Sequence, residues 1–188
     1  MELKNAIYQR RSVFKFSDQP VSFDHMMPCF SLAHMAPNHH LTQPWQFICV
    51  GERTKSLLAD IYAQARALKK MGADDENFAQ VYQQAQQKFL RTPAVVMVAC
   101  RVDKDPMVAE EDYAATCCAI QNLLLALTDV GLGAQWSTHP MIRDERVLSL
   151  LGLDQQQRIV AMIYIGYPQA IPPAPPRQEV SHFIRLLD

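Results

Sequence analysis

From Glu110 to Val130 the chain runs EEDYAATCCAIQNLLLALTDV without a proline or glycine, and this run limits what the protein can fold into. At about 1.5 Å per residue it makes a helix of roughly 30 Å, as long as a small domain is wide. Glu110, Glu111 and Asp112 are expected in its first turn, where the positive end of the helix dipole favours carboxylates. From Tyr113 to Leu127 only Thr116, Gln121 and Asn122 interrupt an apolar surface that continues around the helix. A helix of that kind has to be buried on every side. It is too short and too interrupted for a bilayer, which needs about 20 apolar residues. Gly131 suits the left-handed position that ends a helix, and Ala134-Gln135-Trp136-Ser137-Thr138 leaves the turn as a short segment. One chain of 188 residues has little material with which to wrap such a helix, so a subunit interface is expected along it.

The other segments alternate around this helix. Residues 2–9 carry Leu3, Ala6 and Ile7 at helical spacing, and Val13 to Phe16 alternates like an extended segment. Ser22 can cap a helix running to about Met35, with Phe23, Met26, Met27, Phe30 and Ala33 inward and Pro28 expected to shorten or kink it. Trp45 to Val50 reads as a buried strand, Ala94 to Cys100 as a central strand, and Arg158 to Tyr167 as the best strand in the chain. Arg53–Lys70 and Asn77–Leu90 read as two helices broken at Gly72-Ala73-Asp74-Asp75, a peripheral excursion, and Arg143–Leu151 as a short one. Five prolines between Pro168 and Pro176 exclude helix and central strand, so 168–188 is expected to be an extended arm. The sum is one domain over 1–188, of α+β or α/β sandwich type with a modest sheet.

Composition removes some function classes. A net charge of −1 and a pI near 6.6 argue against a nucleic-acid surface built on bulk charge. The opening MELKNAIYQRR lacks the apolar core of a signal peptide, and Cys29, Cys49, Cys100, Cys117 and Cys118 all lie in apolar surroundings. Buried free thiols in a reducing cytoplasm are therefore expected. No Cys or His spacing matches a metal site, so no metal is expected.

Three stretches could carry chemistry. Arg10-Arg11-Ser12 is either a phosphate clamp, since guanidinium forks match phosphate oxygens, or simply a basic helix end that complements the dipole. On spacing alone the second is the simpler reading. His39 and His40, between Pro37 and Pro44, could be ligands or acid–base groups, although loop histidines are usually just solvated. Gly131-Leu132-Gly133 could let backbone approach a ligand, or could be plain turn chemistry. It is not a dinucleotide fingerprint.

Taken in order, these segments resemble the nitroreductase-like family of FMN-dependent oxidoreductases. The resemblance rests on Arg10-Arg11-Ser12, Ala36-Pro37-Asn38, Gln43-Pro44-Trp45, the run from Ala119 to Ala126, Gly131-Leu132-Gly133, Trp136, and Ile165-Gly166-Tyr167-Pro168. The short length and the Ala36-Pro37-Asn38-His39 variant look most like the compact branch of NAD(P)H nitroreductases. The resemblance implies an α/β sandwich with a mixed central sheet flanked by helices. It implies a homodimer with the long helix at the interface and FMN in two clefts between chains. Arg10, Arg11 and Ser12 would then hold the phosphate and ribityl chain, and Arg177 would add charge at the phosphate. Met35 and His39 would approach the flavin from the other subunit, and Trp136, Ser137 and Thr138 would run past its ring. The implied activity is ping-pong hydride transfer from NADH or NADPH to a small nitro or quinone-type acceptor, the flavin supplying the chemistry. Phe14 and Met35 stand where many relatives carry Lys or Arg, and Lys15, His39 and Arg11 are the candidates for the missing charge. The alternatives are a non-catalytic FMN-storing dimer, or a related flavoenzyme that destroys flavin or removes halogen reductively.

Overall fold

The fold was read from a computed structural model that describes residues 1–71 and 75–187. Its order is α1 (Leu3–Gln9), α2 (Phe23–His34), β1 (Trp45–Cys49), α3 (Glu52–Met71), α4 (Phe78–Leu90), β2 (Ala94–Arg101), α5 (Pro106–Asp129), β3 (Gly133–Ser137), α6 (Glu145–Leu150) and β4 (Gln157–Gly166). The strands form one sheet in the order β1-β2-β4-β3, with every pair antiparallel. The sheet is therefore antiparallel rather than mixed as expected; a parallel pairing occurs only as an isolated bridge, Ser12 to Ala134, among the described residues. Gly72, Ala73 and Asp74, where a break between helices was expected, lie outside the described residues.

Period-2 alternation along β2 explains the layers. Val96, Val98 and Cys100 face α2 and α5, with Ile120, Leu123, Leu124 and Leu127 of α5 packed among them. Val95, Met97 and Ala99 face the other way, onto Leu58, Ala59, Tyr62 and Ala63 of α3 and Ala85 and Phe89 of α4. A strand covered on both faces has no polar side to show, hence its unbroken apolar run. The pair of helices expected at the periphery is therefore a structural layer. Ala59, Ala63 and Ala85 bury well while carrying little hydrophobic signal, which is why the layer was not evident.

Several boundaries moved for local reasons. The long helix begins four residues early, at Pro106, because Asp105 caps it by accepting from the Met107 N–H at 2.9 Å. Glu110, Glu111 and Asp112 consequently fall beyond the first turn, and the dipole argument passes to Asp105. At the other end, Gly131 has φ +78°, and the Leu132 N–H returns to the Leu127 carbonyl at 2.8 Å, closing the helix. Pro28 sits inside α2 without shortening it, and the inward set there is Met26, Cys29 and Ala33 rather than Phe23 and Met27, which are exposed. β1 is a half-buried edge strand, not a buried one. Cys29 and Cys100 are buried, whereas Cys49 and Cys118 are exposed and Cys117 is half-buried, which corrects the expectation that all five are enclosed. α5 itself is buried on one side only within a single chain; Glu110, Tyr113, Ala114, Cys118 and Gln121 remain exposed. Among the described residues no helix is long and apolar enough to cross a membrane.

Candidate functional site

The two glycine motifs do one job between them. Gly133 of β3 pairs with Gly166 of β4. A methyl on Gly133 would meet Val13 Cγ2 at 2.7 Å, and one on Gly166 would meet the Phe16 ring at 2.9 Å. The close approach that glycine permits is thus made by the chain's own segment 12–17, not by a ligand. Val13 N–H donates to the Ala134 carbonyl at 3.0 Å, and Ser17 N–H to the Tyr167 carbonyl at 2.8 Å. This docking lays Arg10-Arg11-Ser12 beside the start of Ala134–Thr138, so two stretches far apart in sequence become neighbours.

Beyond this segment opens a cavity of about 790 Å³. Its near wall is Phe14, Lys15, Phe16 and Asp18; its far wall is Tyr62 and Arg66 of α3 with Gln84, Gln87, Lys88 and Phe89 of α4, continued by Arg91 and Thr92. Gln135 and Ser137 of β3, Tyr164 of β4, His139 and Gln169 complete it. The size lies in the range of small-molecule and cofactor sites, about 300–1,000 Å³. Four cations, Lys15, Arg66, Lys88 and Arg91, face one acid, Asp18, so the cavity favours an anionic ligand. Tyr62, Phe89 and Tyr164 form an aromatic wall, with Tyr62 and Phe89 ring centroids 5.2 Å apart and Phe89 and Tyr164 edge-to-face at 5.9 Å.

Two titratable groups in the wall are held uncharged. Burial pushes the Tyr164 hydroxyl well up, so it remains a neutral donor. Burial lowers the His139 imidazole below its ordinary value, and the cations of Arg66 and Lys69 lower it further. His139 Nδ1 accepts from the Met141 N–H at 3.3 Å, so the neutral ring carries its proton on Nε2.

The residues expected from sequence are spread around this cavity. Ser137 lines it. Trp136 is half-buried on β3 opposite Ile163, and Thr138 is exposed just after the strand. Arg10 is the half-buried C-cap of α1, and Ser12 is exposed at its bridge to Ala134. Arg11 turns back, its Nη1 donating to the carbonyls of Tyr8 and Arg10, both at 2.7 Å, so in one chain it serves the helix end. Met35 is 76 % exposed at the end of α2, and His39 Nδ1 lies 2.8 Å from Glu111 Oε2. Arg177 is exposed in the tail. Of the three candidates for the missing charge, Lys15 is the one at the cavity. Sequence reasoning missed Tyr62, Arg66, Lys88, Arg91, His139 and Tyr164. The available signal was the cluster of basic residues toward the ends of the two helices taken as peripheral.

This donor set fits the ring portion of a phosphorylated flavin, with cations for charge on the ring, aromatic faces for a planar heterocycle and room for it, while the phosphate candidates Arg10, Ser12 and Arg177 lie outside the cavity lining. A family model described as the nitroreductase family matches residues 7–167. The protein named "Putative NAD(P)H nitroreductase YfhC" of Bacillus subtilis is 32 % identical over 171 residues, 90 % of this chain and 86 % of that one. A nitroreductase-like family protein from Bacillus cereus superposes with a TM-score of 0.86 at 30 % identity, covering 100 % of this chain and 97 % of that chain. The FMN and NADPH-dependent nitroreductase NfnB of a sphigopyxis species superposes with a TM-score of 0.78 over 100 % of both chains, at 20 % identity, a likeness of fold.

Proposed function

This chain belongs to the nitroreductase family, and on that premise we propose that it is an FMN-dependent NAD(P)H oxidoreductase that reduces a small nitro or quinone-type acceptor. The observation that carries the proposal is the cationic, aromatic-walled cavity beside the docked segment 12–17. Bound FMN would supply hydride chemistry, accepting from a nicotinamide and passing electrons to the acceptor in alternate steps.

The chain's own residues bind and orient. Arg10, Ser12 and Arg177 would hold the phosphate and ribityl chain, with Arg11 joining them once it leaves the carbonyls of α1. Trp136, Ser137 and Thr138 would run along the ring. Lys15 lines the cavity one position after the exposed Phe14, and it would supply the cation that favours negative charge on a reduced ring. Tyr164 and His139, both neutral, can donate hydrogen bonds without adding charge. That charge supply favours the catalytic reading over a flavin-storing one.

The working unit we propose is a cytoplasmic homodimer of single-domain chains, with the arm from residue 168 lying along a surface or the partner. The support is the apolar surface one chain leaves open: Leu3, Ile7 and Tyr8 on α1, Leu32 on α2, and the outer stripe of α5. In such a pair, Met35 and His39 of one protomer would approach the flavin of the other.

Purified protein should be yellow, or become so with FMN, bleach under NADH or NADPH without oxygen, and recover colour with a nitroarene. Yellow protein that neither nicotinamide bleaches would favour the storage reading, and protein that takes up no FMN would overturn both. Arg10→Ala should weaken FMN binding about 10- to 100-fold, the loss expected for a charge-assisted contact of about 1.5–3 kcal/mol. Unchanged flavin occupancy after gel filtration would contradict the role given to Arg10.

A further inference from the structure

We infer that the substrate meeting the flavin carries an anionic group, a carboxylate or a phosphate, and that Arg66, Lys88 and Arg91 on the far wall of the cavity bind it. The inference rests on the flavin ring occupying this cavity, and it narrows the substrate from any small molecule to one bearing negative charge.

Helical spacing gathers these side chains. Tyr62 and Arg66 stand at i and i+4 on α3, and Lys88 and Arg91 at i and i+3 at the end of α4, so each pair shares a helix face. Both faces turn to the same cavity. Among the described residues none of the three cations forms an ion pair. The helix dipole accounts for Lys88 and Arg91, which sit at the C-terminal end of α4. It does not account for Arg66, which precedes the last turn of α3. Three like charges gathered at one cavity repel one another, and an anion between them relieves that repulsion.

Beside the cations lie donors without acceptors. The hydroxyls of Tyr82 and Tyr167 have partners, Asp60 and His25, whereas those of Tyr62 and Tyr164 have none among the described residues. Tyr62 and Tyr164 are only 7 % and 9 % exposed, and both line the cavity. His139 spends Nδ1 on the Met141 N–H, which leaves its Nε2–H free. A polar group buried without a partner costs stability, so a ligand oxygen is the acceptor this wall lacks. Three cations and three free donors face a single acid, Asp18, on the near wall. That balance selects a negatively charged, acceptor-only group rather than a cation or an amide. Guanidinium forks match the paired oxygens of a carboxylate or phosphate. The rings of Tyr62, Phe89 and Tyr164 set the rest of the shape: a flat aromatic body lies against them while its charged end reaches Arg66 and Lys88. The cofactor's own phosphate is not this group, because its candidates Arg10, Ser12 and Arg177 lie outside the lining.

The test pairs binding with turnover. FMN-loaded protein is titrated calorimetrically with benzoate, phenyl phosphate and benzyl alcohol, and at least one anion is expected to bind about tenfold or more tighter than the alcohol. Turnover is compared for 4-nitrobenzoate against 4-nitrobenzyl alcohol, and for NADPH against NADH. A preference for the charged member, carried by KM rather than kcat, is expected in one comparison, and which one shows whether the anion belongs to the acceptor or to the extra phosphate of the donor. The double variant Arg66→Gln, Lys88→Gln should lose both the binding preference and the KM preference while keeping its FMN affinity. Arg53→Gln, an exposed cation of α3 outside the lining, should lose neither. Circular dichroism confirms that each variant is folded. Equal affinity for anion and alcohol, or preferences that survive the double variant, overturn the inference. FMN affinity that falls in the double variant also overturns it, since these cations would then serve the cofactor. A wild type that takes up no FMN sinks the flavin reading instead, and the titrations on the unloaded chain then decide the anion site alone.

Discussion

His139 shows how one side chain can be set by three neighbours. The Met141 N–H occupies Nδ1, burial disfavours the charged ring, and Arg66 and Lys69 disfavour it further. In the unfolded chain the same histidine titrates near 6.5. As pH falls through that value, the unfolded state takes up the proton first and the folded state resists. The stability linked to His139 is therefore complete above pH 6.5 and is lost as pH falls toward the lower folded value. Thermal melts between about pH 7 and pH 5 should show a steeper loss of Tm in the wild type than in His139→Gln. Parallel pH slopes would refute the environment described here. Nothing near His139 in sequence announces this; only packing against Tyr62, ring centroids 4.6 Å apart, puts it in the cavity wall. Arg11 is the converse case: on spacing alone it reads as a basic helix end, only the family resemblance assigns it to phosphate, and in one chain its hydrogen bonds go to the carbonyls of Tyr8 and Arg10.

At the level of elements, the segment 12–17 is the piece that builds the site. It lies on a floor made by two glycines in register, Gly133 and Gly166. Gly133→Ala should destabilise the fold by about 1–3 kcal/mol, because Val13 has to move by several tenths of an ångström in a packed setting. Urea unfolding reads the stability, and FMN retention reads whether the shift reaches Arg10–Ser12. A variant as stable as the wild type with full flavin would show that the contact is slack. The helices and strands themselves were legible, because their apolar periods are strong. Their edges were less so: Asp105 cannot be recognised as the cap of α5 before the helix is known to begin at Pro106. The role of α3 and α4 was misjudged because alanine stripes bury fully while looking neutral.

For the whole molecule, apolar residues of α1, α2 and the outer face of α5 lie uncovered in one chain. Leu3 and Leu32 are 69 % and 55 % exposed in one chain and line a second cavity with Leu125. A homodimer would bury them. Replacing both with glutamate should leave the protomer fold nearly unchanged, since exposed substitutions usually stay within about 0.5 kcal/mol. It should halve the mass seen by sedimentation and reduce FMN retention. A dimer that persists, or a wild type that sediments as a monomer with full flavin, would place the interface elsewhere or remove it.

By itself the sequence determined the element types, the central strand, the long helix and the family, since each follows from local periodicity, breakers and ordered motifs. Tertiary structure alone decided which residues meet. Lys15, Arg66, Lys88 and Arg91 converge because α3 and α4 cross the sheet face above the docked segment. His40 reaches Glu111 because three left-handed residues turn the loop onto α5. Such meetings depend on contacts between residues far apart in the chain, and those distances are set by how the layers pack rather than by any local pattern.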